Sequence, residues 1–381
     1  MGRPWVDHPS WELVEDASAV AGRDVARLLL EAEADELKET RNAQLATFVL
    51  SLVVLDAVER VGLTASTCAG HSLGEYTALV ATGAFSFDDG VRIVVERGEA
   101  MQAAAEDHPG TMAAVLGLDD SDADAACRRA DGEAWVANYN APGQVVIAGT
   151  EQSVKDAGAA AKDLGAKKVM PLPVGGAFHT PLMTPARDRL RKALREARIS
   201  EPEVPVVANV DARPHVDPAD WHGLLSAQLC SPVRWRQSLQ RLADDGVTTF
   251  VELGPGGVLT GLARRTLPTA TAVAVGGPDH LDGLLTAVAE GRAALDAGHA
   301  PGEHLHVSER LVVSPATGLF TPTPASDAAG AEGEVVEVGG LLGTVGGVEV
   351  RSPFRGWLMG MLAAPGERIT AGQPVAWLRS R

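Results

Sequence analysis

The residues that point most directly to chemistry form the pentapeptide Gly70-His71-Ser72-Leu73-Gly74, which is followed by a helix-like stretch. A strand, a sharp turn whose glycines tolerate tight geometry, and a helix together make a nucleophile elbow, which presents a serine hydroxyl beside helix N-terminal amides. Such a serine carries out acyl transfer or hydrolysis. The pattern alone is moderately specific, because the chain contains 41 glycines and a surface turn is the alternative interpretation.

The elements that must position this serine follow from hydrophobic periodicity. Residues 12–60 have apolar side chains at helical spacing, which predicts helices leading to a strand before Ser72. The segment from 110 to 174 predicts the order β-α-β-β-α-β, a ferredoxin-like unit. The predicted fold class is therefore α/β, with a discontinuous, hydrolase-like parallel-sheet core at 1–107 and 175–297. The ferredoxin-like subdomain at 108–174 is inserted in that core.

A second region follows a predicted linker at 298–307. Residues 308–381 are rich in Gly, Pro and Val with short alternating runs, which predicts a small β domain. Within it, Ser314-Pro-Ala-Thr-Gly318 recurs as Ser352-Pro-Phe-Arg-Gly356. The repeat resembles the two related halves of biotinyl and lipoyl carrier domains, which are flattened β-barrels.

Carrier domains of this kind attach their cofactor to a lysine at a hairpin tip. No lysine follows Lys192, so no covalently bound biotin or lipoate is expected. The C-terminal domain is then either a degenerate module for docking or oligomerisation, or a small β appendage that caps the core. The second interpretation is slightly favoured.

Composition limits the classes of partner and compartment. The net charge of -17 argues against a nucleic-acid binder, because neutralising phosphates needs a surplus of Lys and Arg. No apolar run is expected to span a membrane, and the N-terminus lacks the layout of a secretion signal. The cysteines, Cys68, Cys127 and Cys230, have no metal-ligand spacing and cannot all pair. A cytoplasmic protein without a metal site is predicted.

Six ordered motifs carry a resemblance that covers the chain from its first residues to about Arg265. They are GHSLGEYTAL (70–79), VVERGEAMQ around Arg97, GTMAAVLGL (110–118), NYNAPGQVVIAG (138–149), GAFHTPLM (176–183) and VELGPGGVLTGL (251–262). This chain resembles malonyl-CoA:acyl-carrier-protein transacylases and the acyltransferase domains of polyketide synthases. The resemblance implies an active site in the cleft between the core and the inserted subdomain.

The resemblance implies a catalytic set around Ser72. His179 matches the family's general base, and Gln228 matches the residue whose backbone carbonyl orients that base. An ordinary position on a helix surface is the alternative for Gln228. His71 is adjacent to the nucleophile along the elbow, so its ring is expected to point away from the hydroxyl and to pack structurally.

Substrate contacts are implied in the same way. Arg97 is expected to clamp the free carboxylate of a malonyl group in a bidentate pair, with a surface ion pair to Glu96 or Glu99 as the alternative. Phe178 fits the pairing typical of malonyl-selective domains. Gln44 matches a glutamine near the family's acyl site. Asn140 is a cleft residue or part of a strand turn.

The implied mechanism has two steps: Ser72 takes the malonyl group from coenzyme A, and the thiol of an acyl carrier protein then takes it from Ser72. The backbone amide of Leu73 supplies one oxyanion donor. Family members begin with a strand ending in a G-Q-G-S-Q type loop that supplies a second donor. Met1 to Trp5 align just after that loop, so this strand and donor are expected to be absent from the chain as given.

An acyl carrier protein is usually acidic, so positive side chains are expected near the cleft mouth. The candidates for docking are Lys167, Lys168, Arg187, Arg191, Lys192, Arg264 and Arg265. Solvated faces are the alternative interpretation of these charges.

Two other functions are alternatives to the transfer of a malonyl group from coenzyme A to the thiol of an acyl carrier protein. A serine thioesterase would need an acidic residue and a late histidine after the elbow, and it would not need Arg97. A non-catalytic scaffold would lack the first strand and the carrier lysine, and it would assemble with synthase or carboxylase subunits through the C-terminal domain.

Overall fold

The computed structural model of the protein describes residues 1–297, 308–323, 335–353 and 355–380. The chain divides into two compact units, Met1–Ala293 and Ala294–Arg381. The predicted linker at 298–307 lies outside the described residues. The predicted boundaries between core, inserted subdomain and C-terminal domain stay predictions.

Helices dominate the first unit and are numbered in chain order: α1 (Glu12–Ala21), α2 (Val25–Leu30), α3 (Ala34–Lys38), α4 (Thr40–Arg60), α5 (Leu73–Ala81), α6 (Phe87–Asp107), α7 (Asp120–Arg129), α8 (Glu151–Asp163), α9 (Thr184–Glu196), α10 (Pro218–Gln228), α11 (Trp235–Asp244), α12 (Val258–Thr266) and α13 (Leu281–Ala297). Polar side chains cap several of them. Ser86, for example, accepts a hydrogen bond from the Asp89 amide at the start of α6.

The strands of the first unit are β1 (Cys68–Ala69), β2 (Thr111–Leu116), β3 (Ala134–Ala141), β4 (Gln144–Gly149), β5 (Lys168–Pro171), β6 (Val206–Val207), β7 (Pro214–His215), β8 (Thr249–Leu253) and β9 (Thr271–Val275). Those of the second unit are β10 (Ser308–Val313), β11 (Gly318–Pro322), β12 (Val335–Val336), β13 (Leu341–Val345), β14 (Val348–Arg351), β15 (Gly356–Met361), β16 (Arg368–Ile369) and β17 (Pro374–Ser380).

Helix α4 lies at the centre of the main hydrophobic core, with Phe48, Val49 and Val53 fully buried. By length and composition alone α4 could cross a membrane. Its longest stretch without a charged residue is 42–55, so the expectation that no long uncharged apolar run reaches the length of a span is not contradicted. However, 72% of its apolar window is buried inside the protein, which is typical of a core helix.

Parallel pairing occurs in two small sheets of the first unit. Strand β1 pairs in parallel with β6, and β7 pairs antiparallel with β6 on the other side. Strands β8 and β9 form a separate parallel pair. The strand expected before Ser72 is therefore present but short, and it ends next to the turn that carries the serine.

The segment from β2 to β5 has the predicted order of strands and helices. Its strands form a four-stranded antiparallel sheet in the order β3-β4-β2-β5, and α7 and α8 pack against it around their own apolar cluster. Strand β3 also pairs in parallel with the chain just after α10, because Tyr139 N donates to Val233 O and Val233 N donates to Ala137 O. The inserted segment is thus hydrogen-bonded to the core beside Gln228.

The second unit contains two four-stranded sheets, in the orders β10-β17-β15-β12 and β14-β13-β11-β16. They enclose an apolar core that includes Phe320, Val336, Leu358 and Ile369. A two-residue turn, Gly346-Gly347, joins β13 to β14, and both glycines have positive φ.

The sequence repeat appears in the second unit as repeated hydrogen bonding. Ser314 N donates to Gln373 O and accepts at its carbonyl from Gly372 N. Ser352 makes the same pair of bonds with Gly340 and Gly339. Gly339 and Gly372 share a φ of 83°. The first serine of each repeat copy is therefore hydrogen-bonded in the same way.

Candidate active site

The Ser72 turn has the strained geometry of an elbow. Ser72 has φ 51° and ψ -103°, a conformation that few residues other than glycine adopt, and it precedes the first turn of α5. A Cβ on Gly70 would lie 1.9 Å from the backbone of Gly74, so only glycine fits there. A Cβ on Gly74 itself would meet no atom within 4 Å. The two glycines of the motif thus differ in their steric requirement.

Asn209 holds this turn from the neighbouring strand. It follows β6, which lies beside β1, and its side chain therefore reaches the turn. Its Nδ2 donates to Gly70 O over 2.7 Å, and its Oδ1 accepts from Ser72 N over 2.7 Å. Sequence analysis did not identify Asn209 as a site residue.

His179 faces the serine hydroxyl in the orientation that a base requires. The His179 Nδ1 atom donates to the Gln228 carbonyl oxygen over 2.9 Å. In the neutral ring this leaves Nε2 as the acceptor, and Ser72 Oγ lies 2.7 Å from it. Burial, and next the positive charge of Arg97, lower the pKa of His179 to about 3. The imidazole is therefore neutral at physiological pH and available to accept a proton.

Arg97 is buried beside the same hydroxyl. Its side chain is 1% exposed, and its Nη2 donates to Ser72 Oγ over 3.0 Å. Its Nη1 donates to Gln44 Oε1 over 2.5 Å. The alternative of a surface ion pair does not describe its position, because Glu96 pairs with Arg189 and Glu99 lies near Arg41.

Gln228 contacts three parts of the site besides the base, and it is fully buried. Its Oε1 accepts from Arg97 Nη2 over 3.1 Å. Its Nε2 donates to Ser72 O over 2.8 Å and also to Glu75 Oε2. Gln228 therefore does not occupy an ordinary position on a helix surface.

Glu75 is a buried carboxylate that sequence analysis did not assign to the site. It is 1% exposed, and its Oε1 accepts from Asn209 N over 2.7 Å. Burial raises the pKa of Glu75 to about 7. The spacing from Ser72 to Glu75 matches a capping box, in which Glu75 would accept from Ser72 N. Asn209 Oδ1 takes that bond instead, which leaves Glu75 free to bind Gln228.

The residues on either side of Ser72 have separate surroundings. Among the described residues, the Leu73 amide donates to no carbonyl or side chain, and it stands at the N-terminus of α5. His71 turns away from the hydroxyl: its Nε2 donates to Asn140 Oδ1 over 2.9 Å, and its ring meets the Trp235 ring edge-on at 5.6 Å. Asn140 therefore lies within reach of the elbow at the end of β3.

A cleft of about 190 Å³ opens beside the base. Its walls come from the inserted segment, including Trp135 and Tyr139, and from the core, including His179 and Pro181. Phe178 is partly buried and packs against both the main core and the apolar face of the inserted sheet. The serine and base therefore lie where the two parts of the first unit meet.

The predicted docking cations lie at the surface, and most are exposed. Arg187 is half-buried and pairs with Asp188, whereas Arg264 and Arg265 bond to Ala272 O and Gln144 Oε1. Arg191 and Lys192 are exposed on α9, and no ion pair is recorded for them in the part of the chain that the structure describes. Lys167 and Lys168 are exposed at the start of β5.

The site combines a serine on a strained turn, a neutral imidazole held by a carbonyl, and a buried guanidinium. This combination is typical of a Ser–His centre for acyl transfer or hydrolysis, here in a mixed α/β protein. The profile of the acyl transferase domain matches residues 9–299. The chain belongs to this acyl transferase family.

Named relatives agree with this assignment. The chain is 41% identical over 273 residues to the malonyl CoA-acyl carrier protein transacylase of Bacillus subtilis, covering 71% of this chain and 86% of that protein. The crystal structure of an acyl-carrier-protein S-malonyltransferase from Burkholderia pseudomallei superposes with a TM-score of 0.72 at 40% identity, covering 74% of this chain and 94% of that one. A malonyl-transacylase in complex with its type II PKS acyl-carrier protein gives a TM-score of 0.70 at 38% identity, covering 74% and 91%.

Proposed function

We propose that this enzyme is an S-malonyltransferase that moves a malonyl group from coenzyme A to the phosphopantetheine thiol of an acyl carrier protein, for fatty acid or polyketide synthesis. The observation that carries the proposal is that Ser72 Oγ contacts both His179 Nε2, at 2.7 Å, and Arg97 Nη2, at 3.0 Å. A nucleophile, its base and a cation for a carboxylate are thus adjacent. The names of the relatives supply the same donor and acceptor.

In the first step His179 removes the proton from Ser72 as Oγ attacks the thioester carbonyl carbon of malonyl-CoA. The carbon–sulfur bond breaks, the acyl-serine forms, and the leaving thiolate takes the proton from His179. In the second step His179 deprotonates the carrier thiol, whose sulfur attacks the acyl carbon. The carbon–Oγ bond breaks, and Ser72 Oγ takes the proton back from His179. The Leu73 amide, at the positive end of α5, stabilises the oxyanion in both steps.

The group that orients the base is a neutral carbonyl. Gln228 O fixes the His179 tautomer but stabilises an imidazolium less than an aspartate would. Together with the low pKa of His179, this makes the imidazolium give its proton up readily, to the leaving thiolate in the first step and to Ser72 Oγ in the second. A reversible exchange between thiols needs this property.

Arg97 selects the acyl group. A malonyl carboxylate binds the guanidinium in a bidentate pair and replaces the amide oxygen of Gln44, while Gln228 Oε1 keeps its bond from Arg97 Nη2. An acetyl group offers no such replacement for a buried cation. Phe178, beside the base, limits the room for a branched malonyl group.

The thioesterase alternative is distinguished by its product. A hydrolase would release free malonate from the acyl-serine, whereas a transferase holds the acyl group until a thiol arrives. The buried Arg97 beside Ser72 favours the transferase, because a general thioesterase has no need for a carboxylate clamp.

Intact-protein mass spectrometry after brief exposure to malonyl-CoA tests the proposal, with Ser72→Ala as the control. A malonyl adduct on the wild-type chain and none on the variant supports it, as does transfer of that adduct to added acyl carrier protein. Absence of adduct from both proteins would favour the scaffold, and rapid appearance of free malonate would favour the thioesterase.

The proposal extends to the fold of the first unit around this site. The inserted β2–β5 segment, with strand order β3-β4-β2-β5, is a ferredoxin-like subdomain, and the rest of the first unit is a hydrolase-like core. The acyl carrier protein docks on the exposed cations near α9, and the enzyme works in the cytoplasm without a covalently bound cofactor.

The second unit is a biotinyl- or lipoyl-like domain that has lost its modification site. Its two four-stranded sheets and the matched bonds of Ser314 and Ser352 support this interpretation. The β13–β14 hairpin ends in Gly346-Gly347, where a carrier domain would place its lysine. The unit then serves as a cap or as a docking surface for synthase or carboxylase subunits.

A further inference from the structure

Glu75 contacts neither the base nor the nucleophile's hydroxyl, but it binds the side chain that contacts Arg97. Gln228 has one donor end and one acceptor end in its side-chain amide. The donor end, Nε2, meets two acceptors, Glu75 Oε2 and Ser72 O. The acceptor end, Oε1, must then face the guanidinium of Arg97.

We propose that Glu75 is a positioning residue that fixes the amide orientation of Gln228 and, through it, holds Arg97 against Ser72 Oγ. This inference rests on the proposed malonyl transfer. It assigns to the first turn of α5 a role in acyl selection, separate from the helix amide that receives the oxyanion.

The second oxygen of the carboxylate anchors the arrangement. Glu75 Oε1 accepts from the Asn209 backbone amide over 2.7 Å, so the carboxylate cannot rotate away from Gln228 without leaving that amide buried and unpaired. Asn209 is itself 1% exposed. One buried carboxylate therefore connects the turn at Asn209 to the helix end at Gln228.

An isosteric variant, Glu75→Gln, separates this role from a merely structural one. The new amide can satisfy only one of its two donor neighbours, Asn209 N and Gln228 Nε2, as an acceptor. We expect Ser72 malonylation by malonyl-CoA to slow about tenfold to a hundredfold, the effect of losing a buried charge-assisted hydrogen bond. Acetylation by acetyl-CoA should slow much less, so the malonyl-to-acetyl ratio falls at least fivefold.

The pH profile gives an independent readout. The charged or titratable groups facing Glu75 are Arg97, Asp211 and Tyr76. Since burial raises the pKa of Glu75 to about 7, wild-type malonylation should rise with pH through that region as the carboxylate ionises. The pKa of His179, about 3, lies far below this range. The rise in malonylation rate near pH 7 should therefore disappear in Glu75→Gln.

The matched control is Glu106→Gln, which makes the same chemical change at an exposed position of α6 and should match wild type in rate, selectivity and pH profile. Thermal unfolding of all three proteins shows whether Glu75→Gln is folded; Glu75→Asp, which is too short to reach both partners, replaces it otherwise. Equal slowing for malonyl and acetyl groups, or an unchanged pH limb, would overturn the proposal.

Failure of the proposed function gives a different result. The wild-type chain would then form no malonyl adduct at all. Labelling of Ser72 by a fluorophosphonate needs no malonyl group and still depends on the contact between Arg97 and Ser72 Oγ. We expect it to be about twofold slower in Glu75→Gln than in Glu106→Gln, in step with acetylation, and equal labelling rates would contradict the role of Glu75.

Discussion

The side chain of Asn209 reaches across from the neighbouring strand and donates to the carbonyl of Gly70 over 2.7 Å. The same side chain accepts from Ser72 N, so one amide bridges both sides of a strained turn. The elbow is therefore held by tertiary contacts as well as by its own glycines.

Replacing Asn209 by alanine should loosen this turn. The change leaves Gly70 O and Ser72 N buried without partners, at about 1–3 kcal/mol each in the free energy of unfolding. Ser72 acylation should also fall by at least tenfold, because the nucleophile leaves its position before His179. Asn209→Asp keeps the acceptor and loses the donor, so it should show a smaller loss of stability in urea unfolding. Equal stability of Asn209→Ala and wild type would refute the bridging role.

The two glycines of the motif should respond differently to alanine. Gly70→Ala places Cβ 1.9 Å from the Gly74 backbone and should reduce the free energy of unfolding by more than about 3 kcal/mol. The new Cβ of Gly74→Ala meets open space within the first turn of α5. This substitution should increase the free energy of unfolding by less than about 1 kcal/mol. Thermal or urea unfolding of the pair checks this, and similar damage from both substitutions would contradict the geometry.

His179 should make stability depend on pH. Its folded pKa of about 3 lies below the ordinary value near 6.5, so below pH 6.5 the unfolded chain binds a proton that the folded chain does not. Its contribution to folding is therefore complete above that pH and is lost as the pH falls towards 3. The difference in unfolding free energy between wild type and His179→Gln should shrink by at most about 2 kcal/mol between pH 7 and 5.

Glu75 changes the free energy of unfolding with pH in the opposite direction, because its pKa in the folded protein is raised to about 7. Glu75 is present in both wild type and His179→Gln. Its contribution therefore largely cancels in the comparison. A difference between wild type and His179→Gln that stays constant over this range would mean that the imidazole is not held in its neutral form.

Carrier docking can be separated from acylation on the surface of α9. Reversing Arg191 and Lys192 to glutamate should weaken malonyl transfer to an acidic carrier protein by about tenfold and spare acylation by malonyl-CoA. Lys162→Glu, at another exposed position, is the charge control. The two half-reactions are measured separately by mass spectrometry, and equal loss of both would argue against docking at these residues.

The site shows what sequence can and cannot predict. Ser72, His179, Arg97 and Gln228 are far apart in the chain, and the resemblance to a known family predicted that they belong together. The structure brings them into direct contact. Their roles in catalysis remain predictions until the acylation experiments are done.

Glu75 and Asn209 were not identified, because their importance comes from pairing between distant segments. The spacing from Ser72 to Glu75 fits a capping box, but Asn209, which the pairing of β6 with β1 brings alongside, accepts the Ser72 amide instead. The length of β1 could not be predicted either, since the preceding Thr64-Ala65-Ser66-Thr67 and the following Gly70 give no alternating or apolar run that would mark its ends.

The ends of the second unit have a consequence for how the chain is assembled. Ser308 pairs with Ser380, so the chain enters and leaves this unit at neighbouring points on adjacent strands. A unit with adjacent ends can be joined to another protein, or placed within a loop, without rearranging its own strands. The pairing of its strands therefore does not depend on where in a longer chain the unit stands.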